Sequence, residues 1–124
     1  MNSERCLLVY ENARHNVGGN PLPAEAMSTF TTREFFDEPV WRKDRITAIN
    51  QHFITAFLNL YLKGDETARS YLSVSPAKSN DGQWPLPPGQ SAGSAVSKGE
   101  GGKYWKGFQR RWAVGLEMYC IARP

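Results

Sequence analysis

Apolar positions fall in three blocks along this chain, separated by polar, glycine-rich or proline-rich stretches. In the first, Cys6-Leu7-Leu8-Val9-Tyr10 run without interruption. A short continuous apolar run bounded by turn residues reads as a buried strand, here residues 4–10. Residues 11–23 form a loop, marked by the turn signal Gly18-Gly19-Asn20-Pro21. In the second block Trp41, Ile46, Ile49, Phe53, Phe57, Leu60 and Tyr61 recur at three- and four-residue steps. That period places them on one face of a helix over 39–62. Ala56, Leu58 and Leu62 widen the stripe, so the helix should be buried on more than one side. Lys63-Gly64 suits its exit, a cation at the negative end and glycine beyond it. In the third block Trp112, Val114, Leu116, Met118 and Cys120 alternate with other residues, which argues a strand over 111–121. Phe108, Trp112, Leu116 and Tyr119 also fit a helical step, but Gly115 in the middle counts against a helix.

Weaker signals fill the gaps. Residues 23–27 suit a short helix, because proline is tolerated in a first turn. No period is clear over 28–37. Asp65 suits the cap of a second short helix ending at Leu72, accepting from the backbone N–H of Thr67 or Ala68. Residues 73–103 hold four prolines and a spread of glycine and serine, and read as a long loop anchored by Trp84. The chain thus divides into residues 1–72 (strand, loop and long helix), the loop 73–103, and an aromatic and basic tail 104–124 ending in a strand.

One long helix and two strands make a poor domain, since a two-stranded sheet is marginal alone. The helix stripe exposes more apolar surface than these strands can cover. The expectation is therefore the end of a larger fold, or a unit that depends on a partner chain or on self-association. Composition fits a soluble globular piece: 124 residues, 40% hydrophobic and 22% charged, with formal net charge +3. No apolar stretch approaches a membrane span, and no signal peptide is visible. Cys6 and Cys120 make neither a disulfide framework nor a zinc spacing, and two buried free thiols are the default expectation, with a single bridge between them left open.

His15 is the candidate for chemistry. It heads a Gly/Asn/Pro loop just past a predicted strand, where a scaffold often mounts a general base. The plainer alternative is a solvated loop histidine. The order strand, Ala13-Arg14-His15-Asn16, Gly/Pro loop, then His52-Phe53-Ile54-Thr55-Ala56-Phe57-Leu58-Asn59-Leu60-Tyr61-Leu62-Lys63-Gly64 resembles the C-terminal end of an α/β-hydrolase, of the dienelactone-hydrolase-like kind. Trp105-Lys106-Gly107-Phe108 followed by Ala113-Val114-Gly115-Leu116 resembles tails of the same group. The resemblance implies an α/β fold represented by its C-terminal part: last strand, histidine loop, long terminal helix and extended tail with a final strand. It also implies a serine hydrolase of carboxylic esters or lactones in which His15 is the triad base. Nucleophile, acid and oxyanion hole would have to come from a missing N-terminal part of the domain or from a partner chain. The chain alone is then expected to be inactive, with no cofactor or metal and a small-molecule ester as substrate once completed. Asn12, Asn16 and the backbone of Gly18-Gly19 would shape the histidine loop.

Gly89-Gln90-Ser91-Ala92-Gly93 matches the nucleophile motif G-x-S-x-G, but no apolar strand leads into it and it follows the histidine, so it reads as a chance match. Glu11, Glu25, Glu34, Asp37 and Glu38 could orient His15, with solvated surface charge as the simpler reading. Lys103 to Trp112 interleaves cations with rings in the manner of a nucleic-acid strip, although it is short, belongs to no nucleic-acid module, and its rings suit a core. His52 reads as part of a polar helix face. His15, His52, Cys6 and Cys120 have no metal-site spacing.

Overall fold

In the computed structural model, residues 4–19, 22–84 and 105–122 are described. Strand β1, Arg5–Tyr10, pairs antiparallel with β2, Leu116–Ile121, in the register Arg5↔Ile121, Leu8↔Met118 and Tyr10↔Leu116. Between them lie helices α1 (Phe30–Phe36), α2 (Lys43–Lys63), α3 (Arg69–Leu72) and α4 (Arg110–Ala113). Short 3-10 turns cover His15–Gly18, Ala24–Met27, Glu66–Ala68 and Ser79–Asp81.

Helix α2 carries the fold. It ends as its sequence predicts, with Gly64 in the left-handed conformation and its N–H returned to the Asn59 carbonyl. Asp65 caps the next turn through the Thr67 N–H at 3.0 Å. Ile46, Ile49, Phe53, Ala56 and Leu60 form its buried stripe. The chain covers that stripe with Trp41, Leu72, Trp105, Leu116 and Met118. Cys6, Leu8 and Tyr10 pack on the same cluster from the inner face of β1. The core therefore joins residues of the first 72 positions with those of the tail.

The expected α/β-hydrolase fold is overturned. The described residues are 52% helical, and their only sheet is this two-stranded antiparallel ribbon. The long helix is not terminal to a parallel sheet. It lies between the two strands in sequence, and the strands close on each other instead.

Other expectations shift locally. The long helix starts at Lys43, because residues 38–42 are held off the helix by the Glu38 carboxylate and by the Trp41 indole, which donates to the Glu11 carbonyl at 2.9 Å. The final strand starts at Leu116, because Arg110–Ala113 turn helically and Gly115 has a φ of 82°. Cys6 and Cys120 are not free thiols. They face each other across the ribbon as a disulfide, with Cα atoms 4.1 Å apart. That separation suits the closer, non-hydrogen-bonded pairs of an antiparallel ladder.

His52 is not on a solvated face either. Its ring packs edge-on against Phe53, Tyr71 and Phe108, and burial holds its pKa below the ordinary histidine value. Gly107 makes room for it: a Cβ there would lie 2.7 Å from the ring's Cε1.

Candidate functional site

Two features of β1 stand out, a clamped histidine loop beyond its C-terminal end and an open edge along its length. Beyond Tyr10 the chain turns, with Asn12 at a φ of 58°, and delivers His15 exposed at the head of a 3-10 turn. The turn is pinned by hydrogen bonds from residues distant in sequence. Arg14 N–H donates to the Glu38 carboxylate at 2.6 Å, and Asn16 Nδ2 donates to the Phe35 carbonyl at 2.9 Å. Lys43 Nζ donates to the Asn16 carbonyl at 3.2 Å. Asn50 Nδ2 donates to the Val17 carbonyl at 3.2 Å, and its own Oδ1 accepts from the Tyr10 hydroxyl at 2.7 Å. Burial raises the pKa of that hydroxyl, so Tyr10 remains a donor.

Glu38 is the unexpected member of this set. It is 4% exposed, and its second oxygen accepts from the Val40 N–H at 3.1 Å. A buried carboxylate satisfied by backbone N–H groups is a structural clamp, not a solvated charge. It holds the loop that carries His15 and makes no hydrogen bond to the imidazole. Among the described residues nothing hydrogen-bonds to the His15 imidazole. The buried serine, Ser79, is engaged elsewhere, donating to the Ala113 carbonyl and accepting from Leu116 N–H. A triad is therefore not assembled among the described residues. Gly89–Gly93 lies outside them. Among the described residues of the tail's aromatic strip, Trp105 is fully buried with its indole donating to the Pro76 carbonyl at 2.9 Å, and Phe108 packs against the core. Among the described residues no group of three His, Cys, Asp or Glu side chains could hold a metal ion.

The strand edge has a definite chemistry. Met118 N–H donates outward to the Ala77 carbonyl at 2.9 Å, and Lys78 bridges to Glu117. The far edge of β2 is thus covered. Because Met118 faces away from β1, Leu8 opposite it must also face away from β2. The same parity turns the backbone groups of Cys6, Leu8 and Tyr10 outward. Among the described residues no strand pairs with that side of β1.

Beside this edge runs an apolar groove of about 280 Å³, lined by Cys6, Leu8, Phe53, Ile54, Phe57 and Met118. Ile54, Phe57, Leu58 and Tyr61 form a second stripe on α2, exposed by 57%, 36%, 43% and 39%. An open edge next to an apolar face is a template for another chain. Sequence reasoning anticipated apolar surface left over on the long helix, but not that it lies on the flank nearest β1.

No family model, curated protein or solved structure matches this chain. No helix of the described residues is long and apolar enough to cross a membrane.

Proposed function

We propose that this chain is an interaction module, whose work is to add the open edge of β1 and the flanking α2 stripe to another polypeptide. The observation that carries this reading is the asymmetry of the ribbon. One edge is closed by Ala77 and Lys78, while the other is open beside exposed Ile54 and Phe57. Strand addition joins backbone hydrogen bonds along the edge to apolar contacts beside it.

Photo-crosslinking tests it. A crosslinking residue placed at Leu7 or Ile54 should give discrete adducts in the native cell extract. The same group at Asp81, past the covered edge, should give none. Failure at both Leu7 and Ile54 overturns the reading.

A second reading is favoured by the pinned, solvent-facing His15, which follows directly on β1. In it, the docked polypeptide brings a serine nucleophile and an acid, and His15 serves as general base for hydrolysis of a carboxylic ester or lactone. The isolated chain should then leave an activated ester untouched. A complex isolated through β1 should hydrolyse it and lose that activity in His15→Ala. A complex without esterase activity overturns this second reading and leaves the first intact.

A further inference from the structure

The open edge carries its own complement. Along the outer face of β1 and just beyond it the order is Arg5, Leu7, Val9, Glu11, apolar in the middle and oppositely charged at the ends. Read antiparallel to itself about Leu8, this order pairs Arg5 with Glu11, Leu7 with Val9, and Leu8 with Leu8. The same register pairs Cys6 with Tyr10 on the inner face.

The backbone agrees. An antiparallel pair needs the residues that exchange hydrogen bonds to point at each other, and Cys6, Leu8 and Tyr10 are the ones turned outward, with the Tyr10 carbonyl also accepting from the Ala13 N–H at 3.3 Å. A two-fold axis at Leu8 therefore matches both side chains and ladder. Centring on Leu7 instead would set Arg5 against Val9 and lose the charge pairing.

Of the two end charges, one is uncommitted and the other shares its cation. Among the described residues Arg5 is in no ion pair. Glu11 lies with Glu117 near the single cation Lys78, whose amine is 3.4 Å from Glu117. An incoming Arg5 would face Glu11 and give that carboxylate a second cation.

We propose that β1 pairs antiparallel with β1 of a second copy of this chain, centred on Leu8, forming a four-stranded sheet. The inference rests on the interaction reading above and names its partner. Pairing brings the Ile54 and Phe57 stripes of the two copies together beneath the sheet, which buries the groove flanks along with the edges. The interface is isologous, so each change acts twice.

Charge exchange tests the register. Sedimentation equilibrium of the purified, oxidised chain should show a dimer. Arg5→Glu places glutamate against Glu11 at both ends, and Glu11→Arg places arginine against Arg5. Like charges directly opposite destabilise cross-strand pairs, so each variant should weaken the dimer roughly 10- to 100-fold. Mixed one to one, the two weakened variants should recover it as a heterodimer, because each then faces its opposite charge. Should Glu11→Arg perturb the fold by near-ultraviolet circular dichroism, Glu11→Gln still weakens the dimer without bulk or reversed charge. A monomeric wild-type chain overturns the proposal, as does a dimer indifferent to these changes or a mixture that stays monomeric. A monomer that still crosslinks through Leu7 to a different protein sinks the self-pairing alone, whereas a monomer without crosslinks sinks the interaction reading as well.

Discussion

Glu38→Ala asks whether one buried carboxylate holds the histidine loop. In the wild-type chain that carboxylate accepts from Arg14 N–H at 2.6 Å and from Val40 N–H at 3.1 Å, in a residue 4% exposed. Removing it strands both donors. A hydrogen bond to a charged group contributes about 1.5–3 kcal/mol, and an unsatisfied buried donor costs about 1–3 kcal/mol. These are two views of one loss and are not summed. Val40 is 55% exposed, so water can reach part of its backbone. The truncation also returns the desolvation cost of a buried charge. The net expectation is a loss of about 2–4 kcal/mol. Glu38→Gln keeps one carbonyl oxygen and should lose about half of that.

Equilibrium urea unfolding reads the result. With a slope of about 1–2 kcal/mol/M, the alanine variant's midpoint should fall by about 1–2 M and the glutamine variant's by less. Amide exchange adds a local readout, since Arg14 should lose protection before the β1–β2 ladder does. An alanine variant within about 0.5 kcal/mol of wild type would falsify the clamp. So would equal protection of Arg14 in the two proteins.

Three further outcomes follow from the same geometry. Reducing the Cys6–Cys120 bridge frees a loop with a sequence separation of 114, for which chain entropy predicts a loss of about 5 kcal/mol; a shift under about 1 kcal/mol on adding reductant would refute that account. Burial holds the His52 pKa below its unfolded value, so the unfolded chain takes up a proton that the folded ring refuses. Stability should therefore be full above the unfolded pKa of about 6.5 and fall as pH drops below it, with the loss complete only below the folded pKa. His52→Phe should flatten that limb between pH 8 and 5, and an unchanged slope in His52→Phe argues against a buried imidazole as its source. Gly107→Ala should cost about 2 kcal/mol or more, since its φ is 84° and the new methyl would meet His52, whereas Gly64→Ala faces open space at a φ of 70° and should cost about 1 kcal/mol; equal losses would show that the His52 contact is unimportant.

Much of the scaffold was written in local pattern. The three-and-four step from Ile46 to Leu60 and the glycine at 64 set the long helix, because its stripe has one period and one exit signal. The alternation of Leu116, Met118 and Cys120 set the inner face of β2 in the same way. Helix α1 was hidden because Phe30 and Phe35 stand exposed, leaving no apolar face to betray it. Its one local mark is Thr29, whose side chain accepts from Thr32 N–H at 3.3 Å. Glu38 was illegible for a different reason: a carboxylate among charged neighbours looks solvated until the loop 24 residues earlier folds over it. The disulfide was hidden because its cysteines become neighbours only through strand register.

The misjudged covering of α2 has the same cause, and it bears on function. A stripe widened by Ala56, Leu58 and Leu62 suggested a sheet supplied from outside. Long-range folding supplies part of that cover from within, through Trp105, Leu116 and Met118, which no local pattern ties to the helix. What remains uncovered is not scattered, because Ile54, Phe57 and Tyr61 fall on the flank beside the open edge of β1. A ribbon stapled by a disulfide and sealed on its Ala77 side cannot close the other side with the same two strands. The exposed edge and the exposed helix flank therefore amount to one unsatisfied surface, and a single strand added at Leu8 would satisfy its backbone and bury its apolar rim together.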